Sequence, residues 1–263
     1  MTKVALFSMN TTQFNHYICR LESHAMTHRF FLLFFSLILS VTVFSQENNA
    51  ADTTSKEEYK EYKKPHQDML LVDLNWDYLM GLKNPIKQKW YGRGINVALL
   101  YDYPFTETGS VSGAIGGGFS SHNYYLNGLV TQYDTNGGIT SDFARTTDSV
   151  RATGKFSINY VDVPLELRFR LKENDKGFRW KFAVGGRVGY LINAHEKIIN
   201  NQDIKIKVYD YPNVTQWRYG VGARVGYGAI MVSGFYSLSP LFESGKSFNQ
   251  YNGLQVGVTI TPF

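Results

Sequence analysis

The 263-residue chain has a single cysteine, Cys19, so a disulfide framework and a cysteine-rich metal site are both excluded. Charge is scarce too. Asp, Glu, Lys and Arg make up 19% of residues against 43% hydrophobic, which excludes an intrinsically disordered chain. Only one run is apolar enough to resemble a spanning helix, Phe30 to Phe44, and it lies near the N-terminus. After residue 69 no stretch sustains a 3.6-residue period, so amphipathic helices are missing as well. In excess are glycine, with 24 residues, and aromatics, with 18 Tyr, 18 Phe and 4 Trp.

The apolar run is shorter than the roughly 20 residues a membrane-spanning helix needs. Met26, His28 and Arg29 precede it, and Val43-Phe44-Ser45 has the small-x-small character of a cleavage site. We read residues 1–45 as an extended leader and a cleavable signal peptide, with the start codon at Met26 and the mature chain beginning at Gln46. Cys19 leaves with the leader, and no Cys follows the run to carry a lipid anchor. Removing these residues takes Lys+Arg from 27 to 24 and Asp+Glu from 22 to 21, net +3. So mild a bias implies neither nucleic acid nor an electrostatic membrane patch. Residues 46–68 are polar, and Pro65 would stop any helix over Lys56 to Lys64; they read as a periplasmic linker.

From Met69 the pattern is alternation. Period-2 segments occur near 69–78, 93–105, 111–124, 156–170, 179–192, 215–227, 229–239 and 251–263. Each is long enough to supply the 9–11 residues of a tilted membrane strand. The clearest sets Val161, Val163, Leu165, Leu167 and Phe169 against Tyr160, Asp162, Glu166, Arg168 and Arg170. Connections alternate between short (106–110, 172–177, 226–229) and long, the longest running from Leu126 to Lys155. Short turns on one rim and long loops on the other is the layout of an outer-membrane barrel, with both termini on the short-turn, periplasmic side.

Polarity of the two faces points the same way. One is Val, Leu and Ile, with Trp76, Tyr103, Trp180, Tyr190, Trp217 and Tyr227 near strand ends, as a membrane-interface girdle requires. The other is glycine and charge of both signs, suited to a narrow lumen where small residues clear space for long ones. Backbone groups in lipid must pair internally, so such a sheet has to close. The expected fold is an all-β, eight-stranded antiparallel up-and-down transmembrane β-barrel over residues 69–263. Pro164 lies within a strand and predicts a bulge or local distortion. Phe263 has the opposite parity from Leu254, Val256, Val258 and Ile260, and Pro262 is expected to end the regular strand.

Tyr160-Val-Asp-Val-Pro-Leu-Glu-Leu-Arg-Phe169, Gly185-Gly-Arg-Val-Gly-Tyr190 and the terminal Phe263 resemble the Bacteroidetes-type outer-membrane β-barrel family that includes PorT-like proteins. The resemblance covers roughly Met69 to Phe263. It implies an outer-membrane location, lipid as the surrounding partner, and Phe263 as a signal read by the barrel-assembly machinery. It further implies a place among envelope proteins, in some members as an accessory of type IX secretion. Fold resemblance alone transfers no activity.

The charged lumen set is Asp102, Asp162, Glu166, Arg168, Lys181, Arg187, Arg218 and Arg224. One hairpin register around Glu173–Lys176 places Asp162 opposite Arg187; a neighbouring one places Glu166 opposite Lys181. Either yields an ion-pair network filling the interior. A narrow channel is the alternative, opposed by the small bore of eight strands. Catalysis would need a nucleophile with a His and an acid at the rim. Ser120, Ser121 and His122, or His195-Glu196, assemble no triad within one segment, and no enzymatic activity is expected. Gly116-Gly-Gly118 and Gly220-x-Gly222 lack the setting of a nucleotide loop, and Asn213-Val-Thr215 carries no weight in a bacterial chain. Metal-ligand spacing is missing, and no cofactor is expected. Long polar loops, with Tyr124, Tyr125 and Tyr133, favour contact outside the cell.

Overall fold

Alternating β-branched and aromatic side chains fit a pleated surface whose two faces meet different surroundings. The computed structural model describes residues 69–135, 138–145, 154–199, 205–209, 211 and 213–261. The leader, the signal peptide, the linker and Phe263 lie outside the described residues. Among the described residues there are eleven strands: β1 (Leu70–Met80), β2 (Arg93–Pro104), β3 (Val111–Leu126), β4 (Gly128–Thr135), β5 (Gly138–Arg145), β6 (Gly154–Arg170), β7 (Trp180–Ile199), β8 (Lys205–Tyr209), β9 (Trp217–Tyr227), β10 (Ile230–Ser237) and β11 (Asn252–Ile260).

Eight of them close into a ring in the order β1-β2-β3-β6-β7-β9-β10-β11, with β11 returning to β1. Every neighbouring pair is antiparallel. The fold is therefore a closed eight-stranded barrel, and its strands are the eight alternating segments. Alternation is visible in burial: along β6 from Tyr160 to Arg170, even-numbered residues are buried and odd-numbered ones exposed. At the short-turn rim, β9 and β10 are separated by only two residues; Gly228 there has φ +64°, a conformation that costs other residues energy.

Two expectations need correction and a third is met. The 126–155 segment is no plain loop, because β4 and β5 pair as a separate two-stranded sheet beyond the barrel. The β6–β7 register is neither of the two expected. It sets Asp162 opposite Gly189, Pro164 opposite Arg187, Glu166 opposite Gly185, and Arg170 opposite Lys181. At Pro164 the expected local distortion is present, without a bulge or register shift. On the β3 side the ladder lapses between Ile115↔Leu165 and Gly118↔Asp162, then resumes in the same register. A proline nitrogen has no hydrogen to donate, and the ladder skips it.

The bulge lies higher, between Asn159↔Asn193 and Tyr160↔Leu191, where Ile192 is the extra residue on β7. An inserted residue reverses which face later side chains point to. Below it Lys181, Ala183, Arg187 and Gly189 are buried; above it Ala194 and Glu196 are.

Candidate functional site

The barrel interior has two layers. At the level of the short-turn rim and mid-barrel, buried charges form one alternating chain. Arg170 bonds Asp102, and Arg168 lies 3.7 Å from the same carboxylate. Arg168 donates to Glu166 at 3.2 Å, and Arg224 bonds the other Glu166 oxygen. Arg224 and Arg187 then reach Asp73 at 3.0 and 3.3 Å. Arg187 stands 3.9 Å from Asp162, to which Arg218 donates at 2.9 Å. Five guanidinium groups and four carboxylates thus follow one another. Each charge has opposite charge on hand, the condition under which buried ions are tolerated.

Neutral groups complete the set. Asp73 accepts from Thr259 Oγ1 at 2.8 Å and Asn96 Nδ2 at 3.2 Å. The Arg218 guanidinium lies 4.1 Å above the Tyr160 ring, and Arg187 lies 5.0 Å from the Phe235 ring centre. Glycine supplies the room: a β-carbon on Gly189 would collide with the Asp162 carboxylate.

All eight expected lumen residues belong to the interior, and Asp102, Asp162, Glu166, Arg168, Arg187, Arg218 and Arg224 stand in this chain. Lys181 is buried across from Arg170, not paired by register with Glu166. Asp73 and Arg170, both essential links, were absent from the expected set. Their signal was parity, since each stands on the polar face of its own strand. Two cavities within the barrel each admit about 20 Å³, room for a single water.

Above the ions the interior turns apolar. Leu79, Tyr124, Leu126, Phe156 and Ile158 from the barrel pack with Val130, Phe143, Leu241, Phe242 and Tyr251 from the long connections. Phe143 of β5 is the hub, its ring 5.9, 5.7 and 5.1 Å from those of Phe156, Phe242 and Tyr251. Polar ties hold the cap down. Tyr251 bonds Asp142, Asn249 Nδ2 donates to Asp142 at 3.1 Å, and Asn213 Nδ2 donates to the Ile139 carbonyl at 2.8 Å. Tyr124 is thus a core residue, contrary to its expected place on a contact loop. The hairpin's signal in the sequence was Asn136-Gly137, the dipeptide most favoured between hairpin strands.

Beneath this cap Glu196 is 1% exposed. Its carboxylate accepts from Tyr211 Oη at 2.8 Å and from the Val130 amide at 3.3 Å. Burial pushes its pKa up to about 7 despite those bonds. Burial, then the Glu196 charge, raises the Tyr211 phenol in turn.

Catalytic geometry does not emerge around His122. It is 1% exposed, with Nδ1 3.0 Å from Asp77 and Nε2 3.3 Å from Gln255 Nε2. Ser120 Oγ is engaged by Arg218 instead, at 2.9 Å. His195 points outward, its Nδ1 2.9 Å from Asn193 Oδ1, and so faces away from Glu196.

Outside, the six aromatics expected at the girdle are all exposed, from 43% for Tyr227 to 61% for Tyr103. Trp180 and Tyr227 meet at 5.6 Å near the short turns, Tyr190 and Trp217 at 5.0 Å near the other rim. The ten steps of β7 from Trp180 to Tyr190, at about 3.3 Å each and tilted by about 40°, give a height of about 25 Å. That equals the apolar band of a membrane barrel.

A family described as outer membrane protein β-barrel domain matches residues 73–243. Among solved structures, Ail, the attachment invasion locus protein of Yersinia pestis, is similar over 73% of this chain and 95% of that one, at 12% identity and a TM-score of 0.34. No curated protein matches.

Proposed function

The chain belongs to the outer-membrane β-barrel family, and from that premise we propose a sealed scaffold that presents its long connections outside the cell as an interaction surface. The observation that carries this reading is the cap. It is packed from beneath and cross-tied, yet it displays large apolar side chains beyond the aromatic bands: Phe248 at 60%, Ile139 at 48% and Tyr133 at 36% exposure. Tyr133 and Phe248 lie 5.3 Å apart, joining the hairpin to the connection before β11. Apolar side chains clustered on a soluble rim mark contact with another molecule.

The ion chain fills the bore under this rim and serves as structure, not as a path. The six aromatics seat the barrel at the two lipid interfaces, and both termini face the periplasm after export by the signal peptide. Phe263 is the assembly signal. No reaction is assigned to the molecule.

Two measurements test the reading. A membrane-impermeant maleimide applied to intact cells should label Gln132→Cys and spare Lys176→Cys in the short turn; the reverse would invert the molecule. Tyr133→Ser with Phe248→Ser should abolish co-purification of outer-membrane or extracellular partners while leaving the barrel folded. Stoichiometric periplasmic partners that survive the double substitution would instead favour an accessory of a secretion complex.

A further inference from the structure

Outward side chains on β3, β6, β7 and β8 fall into rows given by the register. The last lipid-like row is Phe119, Val161, Tyr190 and Trp217. Next come Ser121, Asn159 and Asn193, then Asn123, His195 and Tyr209, with Ser157 of the same row covered and donating to Asn123 at 2.8 Å. The row above is Tyr125, Lys155, Lys197 and Lys207. Three lysines on adjacent strands stand directly opposite one another, and none of these rows contains an acidic residue. Like charges so placed destabilise a sheet. Burial, then Lys197 and Lys207, lower the pKa of Lys155, and burial with Lys207 and Lys155 lowers that of His195, so the patch is positive enough to be felt by its neighbours. Tyr125 flanks it, with the Lys155 ammonium 5.8 Å from its ring centre.

Height identifies the occupant. Lys155 is six residues beyond Val161 along β6, about 20 Å of strand and about 15 Å of height at a barrel tilt. A phospholipid headgroup layer ends roughly 5–8 Å from the hydrocarbon edge. The row faces sideways, along the barrel wall, and so looks into whatever surrounds the barrel at that level. We propose that Lys155, Lys197 and Lys207 bind the phosphate or carboxylate groups on the sugar headgroup of an outer-leaflet glycolipid. Bound anions would offset the repulsion among the lysines and lock the extended part of β7 and β8 against the neighbouring lipid. This inference rests on placing the long connections outside the cell.

The test uses the refolded mature chain in neutral detergent, with rough lipopolysaccharide bearing a phosphorylated core as the probe. Wild type should bind it about tenfold to a hundredfold more tightly than the Lys155→Gln/Lys197→Gln/Lys207→Gln variant, with the difference shrinking in high salt. Lipid A without core sugars, and phosphatidylglycerol, should bind both proteins alike. Without glycolipid the triple variant should be at least as stable as wild type, because repulsion has been removed; this also controls for folding. Equal affinity of the two proteins would overturn the proposal. So would lipid A alone discriminating them as well as the full core does, or displacement by dilute inorganic phosphate. Failure of surface labelling at Gln132→Cys is a separate result: it would refute the orientation, not the anion site.

Discussion

Arg218 gathers several interior groups, holding both Asp162 oxygens at 2.9 Å, Ser120 at 2.9 Å and the Tyr160 ring face. Arg218→Met would leave Asp162 buried with only Arg187, at 3.9 Å. We expect a loss of about 3–5 kcal/mol, read as a lower urea midpoint in detergent. Adding Asp162→Leu should recover most of that loss, because an apolar pair needs no counter-charge. Glu196 carries a pH dependence of definite sign. Its folded pKa of about 7 exceeds the ordinary 4.5, so the closed cap holds the proton more tightly than the open one. Closure is then fully stabilised below about 4.5, weakens as pH rises toward 7, and is level above that, a change of roughly 3 kcal/mol at most. Amide exchange at Val130, corrected for intrinsic rate, should be faster at pH 8 than at pH 5. Glu196→Gln should abolish the difference.

At the scale of elements, β7 decides where barrel ends and cap begins. Its extra residue Ile192 turns Ala194 and Glu196 inward and leaves His195 and Lys197 outside. Deleting Ile192 would restore simple alternation while keeping Ala194 and Glu196 inward and His195 and Lys197 outside, because Asn193 would follow Leu191 in the regular register. The folded form, followed by its faster migration in unheated gels, should therefore persist, whereas a sharp fall in yield would show that the bulge itself is required. The alternation of β6 and the lower part of β7 could be read directly from sequence, because one face meets apolar surroundings and the other meets ions. The bulge could not, since one inserted residue leaves both flanking patterns locally regular. The β6–β7 register was equally hidden. Charge pairing alone suggested Asp162 opposite Arg187, whereas long arginine side chains reach diagonally across strands and satisfy several registers.

As a whole molecule the barrel is filled along its length, with ions below and an aromatic plug above. Planar-bilayer recordings should therefore show no large, steady conductance, and a persistent pore would mean that the cap opens in the membrane. The eight strands, their order and their apolar exterior followed from period and loop lengths. The cap did not, because it unites Phe143 of one connection with Phe242 and Tyr251 of another, far away in the chain, and they carry no shared local pattern. Its hairpin was nevertheless signalled by Asn136-Gly137.

Sequence by itself determined that this chain closes into a cylinder and, below the bulge of β7, which residues face in, since a period of two assigns each side chain of a regular strand to a face without reference to its neighbours. Tertiary structure alone decided the partners: which arginine meets which carboxylate, where Glu196 is sealed, and that three lysines share one row. Those facts depend on register between strands, and register is fixed by packing summed over the closed ring, not by any one segment.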